Sequence, residues 1–477
     1  MDMIRERNIV GPLAGSAAMV IAVGAATQLD QQAAAWLIMV AAVAAIAAVA
    51  VPLRPWWRSP VTAAQRQAAL KHLPPALVER GRKMSAALVW STWTLLAVRL
   101  ATVPLLIAAG TPAADWVSDP GQPWYLRAGL ATLVLAGAVA VLEATPMWWD
   151  TRCRGTASTK VAGPAGLNTA IGVLAGTVFW AVKILGLAWA MHLWPSGWWL
   201  ALIAAYAAAR LAARMLLEPG TVQSAASGGK PVTSDRLRQR VAAAAAGAGL
   251  RSPQILVVEK PGPLNAVVGG VGRQKITVFG PGLAETTDDE TARPATGVED
   301  EAVAIATHEV AHVRYGDGWL RMLTGTAQAG FTLAVLVLAG NTPGLLHLAG
   351  VVSLADPHAV GLILAVLTVP RLIAVPVQTW LNRAQERRAD QYALHTTGEP
   401  HTVASAWQRA LREVGGDPNP GPSYLLWPKP AGHPVLAERL ATALAFDPPA
   451  ARLAPATANA PTTAPAPATD ADIVNRV

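Results

Sequence analysis

Cysteine is all but missing. The single copy, Cys153, excludes an intrachain disulfide and any zinc cluster built from thiolates. Charge is scarce too. Only 14% of the 477 residues are Asp, Glu, Lys or Arg, whereas a soluble globular chain carries about 25%. Together with 53% hydrophobic residues, the shortfall points to segments that lie in a bilayer. Phe and Tyr are rare, at 4 and 5 copies, a bias from which no function follows. A cleavable signal is not expected either, because the first apolar run is too long and no small-residue cleavage site follows it. The net charge of +8 could suggest nucleic acid, but the basic residues are concentrated in particular loops.

Long apolar runs recur at 9–27, 33–52, 86–110, 127–147, 168–191, 197–217, 327–350 and 357–378. A membrane span needs about 20 such residues. The first six are expected to cross as a group. Pro343 and Gly344 interrupt the seventh, and Pro370, Arg371 and Pro376 the eighth, so kinked or re-entrant helices are the expectation there. Loop charge orients them. Arg54, Arg58, Arg66, Lys71, Arg80, Arg82 and Lys83 lie between the second and third spans, and Arg152, Arg154 and Lys160 between the fourth and fifth. The alternate loop, 111–125, has Asp115 and Asp119 and no Lys or Arg. The basic loops, the N-terminus with Arg5 and Arg7, and the polar chain from Glu218 onward are therefore expected in the cytosol. Tryptophans at span ends, Trp56, Trp57, Trp116, Trp124, Trp148, Trp149, Trp198 and Trp199 among them, suit an interfacial belt. Arg99, Glu143 and Lys183 fall inside spans, where an ion pair is the expected compensation.

Outside the apolar runs, Thr233 or Ser234 can cap a helix over 235–249. QILVVE at 254–259 and KITVF at 275–279 suggest strands, and PGPLNAVVGGVG between them a glycine-rich loop. Residues 286–298 suggest a mobile loop. Helices are expected over 299–315, 380–396 and 402–415, and the Pro/Ala/Thr-rich residues 447–477 suggest a disordered tail.

HEVAH at 308–312 carries the chemistry. On a helix, His308 and His312 stand one turn apart on one face and can share a zinc ion, with Glu309 beside a water made acidic by the metal. Glu309 would be the general base. A hydrolytic site wants a third protein ligand and an open position. Glu386 and Asp390, spaced i, i+4 in NRAQERRADQYAL, are the best suppliers. Glu386 would ligate, and Asp390 would hold a ligand histidine from behind. Asp317 competes for the ligand role and is preferred as a structural group at the helix end. Taken alone, ERRAD could equally be an exposed charged face, with Arg387 and Arg388 as surface partners.

These pieces resemble peptidase family M48, the group of the Ste24-type CAAX prenyl proteases and the HtpX-type membrane proteases. LNAVVGG before KITVFGPGL, HEVAHVRYGD, two apolar segments, ERRAD and GHPVLAERL at 432–440 occur in the family's order. The resemblance covers about 218–445. It implies His308, His312 and Glu386 as ligands of one zinc ion, Glu309 as catalytic base and Asp390 as a supporting group. Asn265 and His433 would contact the substrate backbone or the oxyanion. Arg439 would support the site by pairing with Asp390 or Glu386. The strand at 275–279 would receive an extended polypeptide by strand addition.

The expected fold is mainly α: a polytopic helical membrane domain joined to a cytosolic α+β zincin-like, or gluzincin, domain with a small sheet. The expected division is a membrane domain at 1–217, a first zincin part at 218–326, two further apolar helices at 327–380, a second zincin part at 381–446 and a tail at 447–477. The expected function is a membrane zinc metalloendopeptidase with polypeptide and lipid bilayer, but no nucleic acid, as partners. Alternatives are a sensor-transducer of the BlaR-like M56 type and a non-catalytic membrane scaffold or transporter.

Overall fold

A computed structural model of the chain describes residues 10–155, 165–216, 229–259, 264–269, 275–280, 283, 296–414, 416–421 and 432–447. Most of the expected loop 286–298, the tail beyond residue 447, Arg5, Arg7, Lys160 and Glu218 lie outside the described residues.

Helices dominate. In order they are α1 (Val10–Ala26), α2 (Gln31–Ala50), α3 (Ala63–Leu70), α4 (Pro75–Val117), α5 (Trp124–Gly155), α6 (Ala165–Leu193), α7 (Trp198–Leu216), α8 (Asp235–Gly247), α9 (Thr296–Arg314), α10 (Asp317–Gly340), α11 (Pro343–Leu348), α12 (Val360–Thr397), α13 (Pro400–Val414) and α14 (Leu436–Leu444). Local chemistry sets several starts. Asp30 accepts from the Gln32 and Ala33 amides at the start of α2, Thr62 and Gln65 form a capping box on α3, and Ser234 accepts from Leu237 on α8.

Six helical stretches among the described residues are long and apolar enough to cross a membrane: Gln31–Trp56, Pro75–Val117, Trp124–Pro146, Ala170–Leu193, Asp317–Gly340 and Pro357–Thr397. They include both of the runs expected to be interrupted. Pro370 and Pro376 sit within the unbroken α12; neighbouring helices and local adjustment make proline tolerable in such a setting. The seventh run is displaced. Its helix begins at Asp317, ends at Gly340, and leaves Pro343 to open the separate α11. Two expected spans, 9–27 and 197–217, border undescribed residues and are not among these six.

Inside this bundle, Arg99 and Glu143 form the expected ion pair, with contacts of 2.8 and 3.1 Å. Lys183 instead lies over the rings of Phe179 and Trp180. Several span-end tryptophans do not face outward as an interfacial belt would: Trp56, Trp198 and Trp199 are buried.

The sheet has four strands, β1 (Lys230–Pro231), β2 (Gln254–Glu259), β3 (Asn265–Gly269) and β4 (Lys275–Gly280), in the order β1-β2-β4-β3. The glycine-rich segment expected as a loop therefore contributes a strand. Its NAVVG core has small and β-branched residues that pair antiparallel with β4, Asn265 opposite Phe279. β4 pairs on its other side with β2, in parallel. Both hydrogen-bonding rows of β4 are thus occupied, which corrects the expectation that 275–279 receives a peptide. The free edge beside α9 belongs to β3.

Two connections define the architecture. Between α9 and α10 stand only Tyr315 and Gly316, with Gly316 at φ 67° in the left-handed region that glycine adopts without strain. And α12 runs on for 38 residues, roughly 57 Å at 1.5 Å per residue, so the ERRAD segment is the far end of an apolar helix. Near its start α12 crosses α4 backbone to backbone at Gly361 and Gly110, where a Cβ on Gly361 would stand 2.2 Å from the Leu106 carbonyl oxygen. Replacing Gly361 with valine is expected to destabilise the bundle by about 1–3 kcal/mol through overpacking. A thermal melt in detergent checks this, and an unchanged midpoint would contradict the close crossing.

Candidate metal centre

Helix α9 is built to face inward. Ala302, Val303, Ala304, Ile305, Ala306, Val310 and Ala311 are buried, and they carry His308 into the core with them. His308 and His312 meet edge to face, 5.0 Å between ring centroids. From α12, Glu386 reaches between them: Oε2 is 3.1 Å from His308 Nε2 and Oε1 is 3.4 Å from His312 Nε2. Three donors from a stretch spanning 78 residues, His308 to Glu386, therefore converge on one point. Glu309 also belongs to the cluster, since His308, Glu309 and His312 each offer a ligand atom within 4.8 Å of the others. Two carboxylates thus stand near the imidazole pair. Glu386 is the buried one with direct contacts to both rings, and Glu309 is half-buried on the same helix as the histidines. The donor set, two imidazole nitrogens and a carboxylate, fits a borderline divalent ion such as zinc.

Behind each imidazole stands a carboxylate held by an arginine. His308 Nδ1 lies 2.9 Å from Asp390 Oδ1, close enough for an ion pair though poorly aligned for a hydrogen bond. Asp390 in turn takes a bidentate grip from Arg439 on α14, at 2.8 and 2.5 Å. His312 Nδ1 donates to Asp317 Oδ2 at 2.7 Å, and Asp317 Oδ1 accepts from Arg388 at 2.6 Å. Both guanidinium groups lie over aromatic rings, Arg439 at 3.5 Å from the Trp407 centroid and Arg388 at 4.0 Å from that of Tyr315. The Trp407 ring also meets His308 edge-on.

Most of the residues anticipated from sequence gather here: His308, Glu309, His312, Glu386, Asp390 and Arg439. His433 joins them, with Nδ1 2.5 Å from Glu386 Oε2. Asn265 does not. It opens the edge strand β3, its Oδ1 accepts from the Ala266 amide at 3.0 Å, and none of the metal-site side chains is among its partners in the described residues. The sequence undervalued Asp317 and Arg388. Asp317 is a fully buried partner of His312 as well as the opening residue of α10, and Arg388 is 1% exposed, not a surface charge. The signal for Asp317 was the five-residue spacing from His312 across Gly316, a helix break that brings Asp317 back to the imidazole; Arg388 had no local signal. Arg387 is tied down as well, to Glu438 and to the carbonyls of Trp56 and Trp57.

A family model described as peptidase family M48 matches residues 231–446. Those residues belong to peptidase family M48. The match begins at β1 and ends beyond α14. It therefore encloses the sheet, both halves of the metal centre and the two apolar helices α10 and α12 between and within them. It names a metallopeptidase family and gives no support to the M56-type alternative.

Without a bound ion, the charges around the two imidazoles favour their protonated forms. Burial opposes charge on His312, but Asp317 and Glu386 outweigh it and raise the imidazole from 6.5 to about 10. His308 is also raised, burial being outweighed by Asp390 and Glu386. A group with a raised folded pKa stabilises the fold fully below its unfolded value and loses that contribution as pH climbs to the folded one. The metal-free protein is therefore expected to lose stability from about pH 6.5 toward 10. The metal-loaded protein should not, since a metal takes the proton's place. Melts of both forms across this range check it, and parallel profiles would contradict it. Asp317→Asn tests the second imidazole's support. It should lower metal affinity by about 10–100-fold and, with Arg388 left buried and unpaired, cost about 3–5 kcal/mol of stability. Metal titration and melts of the variant measure the two effects.

Proposed function

We propose that the chain is an integral membrane zinc-dependent metalloendopeptidase, with its active site in the cytosol, that processes membrane proteins or takes part in their quality control. The observation that carries this reading is the convergence of His308, His312 and Glu386, with each imidazole backed by a buried carboxylate. In this reading those three side chains hold the ion, and Glu309 is left free for proton transfer. Zinc would supply Lewis acidity to a water and to the scissile carbonyl. Glu309 would take the proton of the attacking water and hand it to the leaving amine. His433, more than half exposed and touching Glu386, is positioned to donate a hydrogen bond to the developing oxyanion.

The substrate chain would add to the edge of β3, with Asn265 at the start of that edge contacting the peptide backbone. Main-chain pairing of this kind reads little sequence, which favours broad specificity.

Cytosolic placement draws support from contacts at one end of the bundle. The backbone carbonyls of Trp56 and Trp57, at the start of the basic loop, accept from Arg387 of the ERRAD segment. Helix α3 of the same loop packs on α14, and Gly81 abuts Gly416. At the other end, Asp115 of the acidic loop meets His358 near the start of α12. The metal centre therefore shares a side with the Lys/Arg-rich loop, the cytosolic side by the positive-inside rule.

Glu309→Gln is the direct test. In detergent the variant should keep zinc at wild-type stoichiometry while cleavage of casein or a tagged membrane protein falls by about 10²–10⁴-fold. Glu386→Gln should lose zinc. Wild-type cleavage by the Glu309 variant, or no zinc in the wild-type protein, would remove the proposal.

A further inference from the structure

At the end of α12 away from the metal centre, three charged side chains meet around one imidazole. His358 sits in the single helical turn Pro357–Ala359 that leads into α12. Asp356 stands just before that turn. Its Oδ1 accepts from the His358 amide at 2.9 Å and from ring Nδ1 at 2.6 Å. The other ring nitrogen, Nε2, lies 2.9 Å from Arg127 Nη2 of α5 and 3.0 Å from Asp115 Oδ1 of α4. The ring is half-buried, while the Asp115 side chain is 65% exposed.

The two contacts of Nε2 exclude each other. A guanidinium only donates and an ionised carboxylate only accepts. With Nδ1 giving its proton to Asp356, a bare Nε2 can take the Arg127 N–H but has nothing to offer Asp115. A protonated Nε2 can donate to Asp115 but faces Arg127 hydrogen to hydrogen and charge to charge. One nitrogen therefore has two partners, one for each of its protonation states. Neighbouring groups do not settle the choice. Asp119, in the loop joining α4 to α5, is turned to the Gly121 amide, and His192 of α6 is stacked on Trp124. Among the described residues, Arg127 makes its side-chain hydrogen bond to this imidazole, and its Nε is buried with no partner.

The two flanking helices differ in how they are held. α4 meets α12 backbone to backbone at Gly110 and Gly361, one turn beyond the ring, and the His358 carbonyl oxygen is 3.5 Å from where a Gly110 Cβ would stand. The contact that a proton can make or break without disturbing that crossing is the one to α5.

We propose that His358 is a proton switch. Neutral, it ties the start of α12 to α5 through Arg127. When Nε2 takes a proton from water, the ring drops Arg127 and donates to Asp115 of α4. An imidazole is the side chain suited to this exchange, since its charge ordinarily changes between about pH 5 and 8. Acid at this end would loosen α5 from the helix that carries Glu386. On the orientation proposed above, this end faces away from the cytosol. The switch itself does not depend on whether the metal centre cleaves peptides.

Melts of the full chain in detergent at pH 8 and pH 5 test it, each variant compared with wild type at the same pH. Arg127→Gln should lower the midpoint by about 2–4 °C at pH 8 and leave it unchanged at pH 5. Asp115→Asn should do the reverse. A glutamine at 358 can accept from Arg127 but cannot take up a proton, so in a His358→Gln background Arg127→Gln should cost the same at both pH values. Asp115 is exposed, so its variant decides the matter even where Arg127→Gln fails to fold. Equal costs at the two pH values for either variant in the wild-type background, or no cost at either, would overturn the proposal. A crossover that survives in the His358→Gln background would also overturn it, by assigning the titration to another group.

Discussion

The Glu386 carboxylate, set between two imidazoles from another helix, is the contact on which the rest of this structure depends. It can form only if α9 and the far end of α12 are held side by side, and both are extensions of apolar helices. α9 gives way to α10 after a two-residue break, and the ERRAD segment is α12 itself continued. A small shift of either apolar helix would carry a ligand with it. The glycine crossing of α12 on α4, and the tie from Arg387 to the Trp56 and Trp57 carbonyls, therefore bear on the metal centre from outside it.

Burying so much charge is costly, and isolated buried ions would be prohibitive. The centre meets that cost by pairing in series. Imidazole, carboxylate and guanidinium follow one another twice, through His308, Asp390 and Arg439 and through His312, Asp317 and Arg388. Each arginine then rests on a ring. Such networks are a poor source of net stability, because hydrophobic replacements often do as well. What they provide is orientation: an imidazole with its Nδ1 proton held by a carboxylate presents Nε2 in one direction only. The doubling matters because both imidazoles must aim Nε2 at one point while a further position stays open for the water that hydrolysis requires.

Much of this was legible in sequence because helical spacing is a strong constraint. HEVAH puts two imidazoles on one helical face, and ERRAD puts two carboxylates on another at i, i+4. What escaped was whatever depended on a turn or on the third dimension. Asp317 lies beyond a glycine break, and its approach to His312 needs the left-handed turn at Gly316. Arg388 looked like surface charge because nothing local reveals that its face of α12 is buried against Tyr315. The strand order was hidden for the same reason. NAVVG and KITVF are equally plausible edges until the parallel pairing of β2 with β4 fills one side of KITVF. The continuity of α12 was obscured by Pro370 and Pro376, which would end a helix in water but not one supported by neighbouring helices.

The arrangement also constrains what can reach the centre. β3 is the free strand edge beside α9, while the histidines lie on a helix that ends two residues before an apolar one. An extended polypeptide laid along β3 would approach the ion within a few residues of the bilayer boundary. A folded soluble protein would have to present a long unpaired strand to do so. A membrane protein whose chain has already left its fold near the surface presents such a strand without further unfolding, because the segment next to a span is held at the right depth by the span itself. Under the proposed function, the closeness of His308, His312 and Glu386 to the start of α10 would favour substrates tethered to the same membrane.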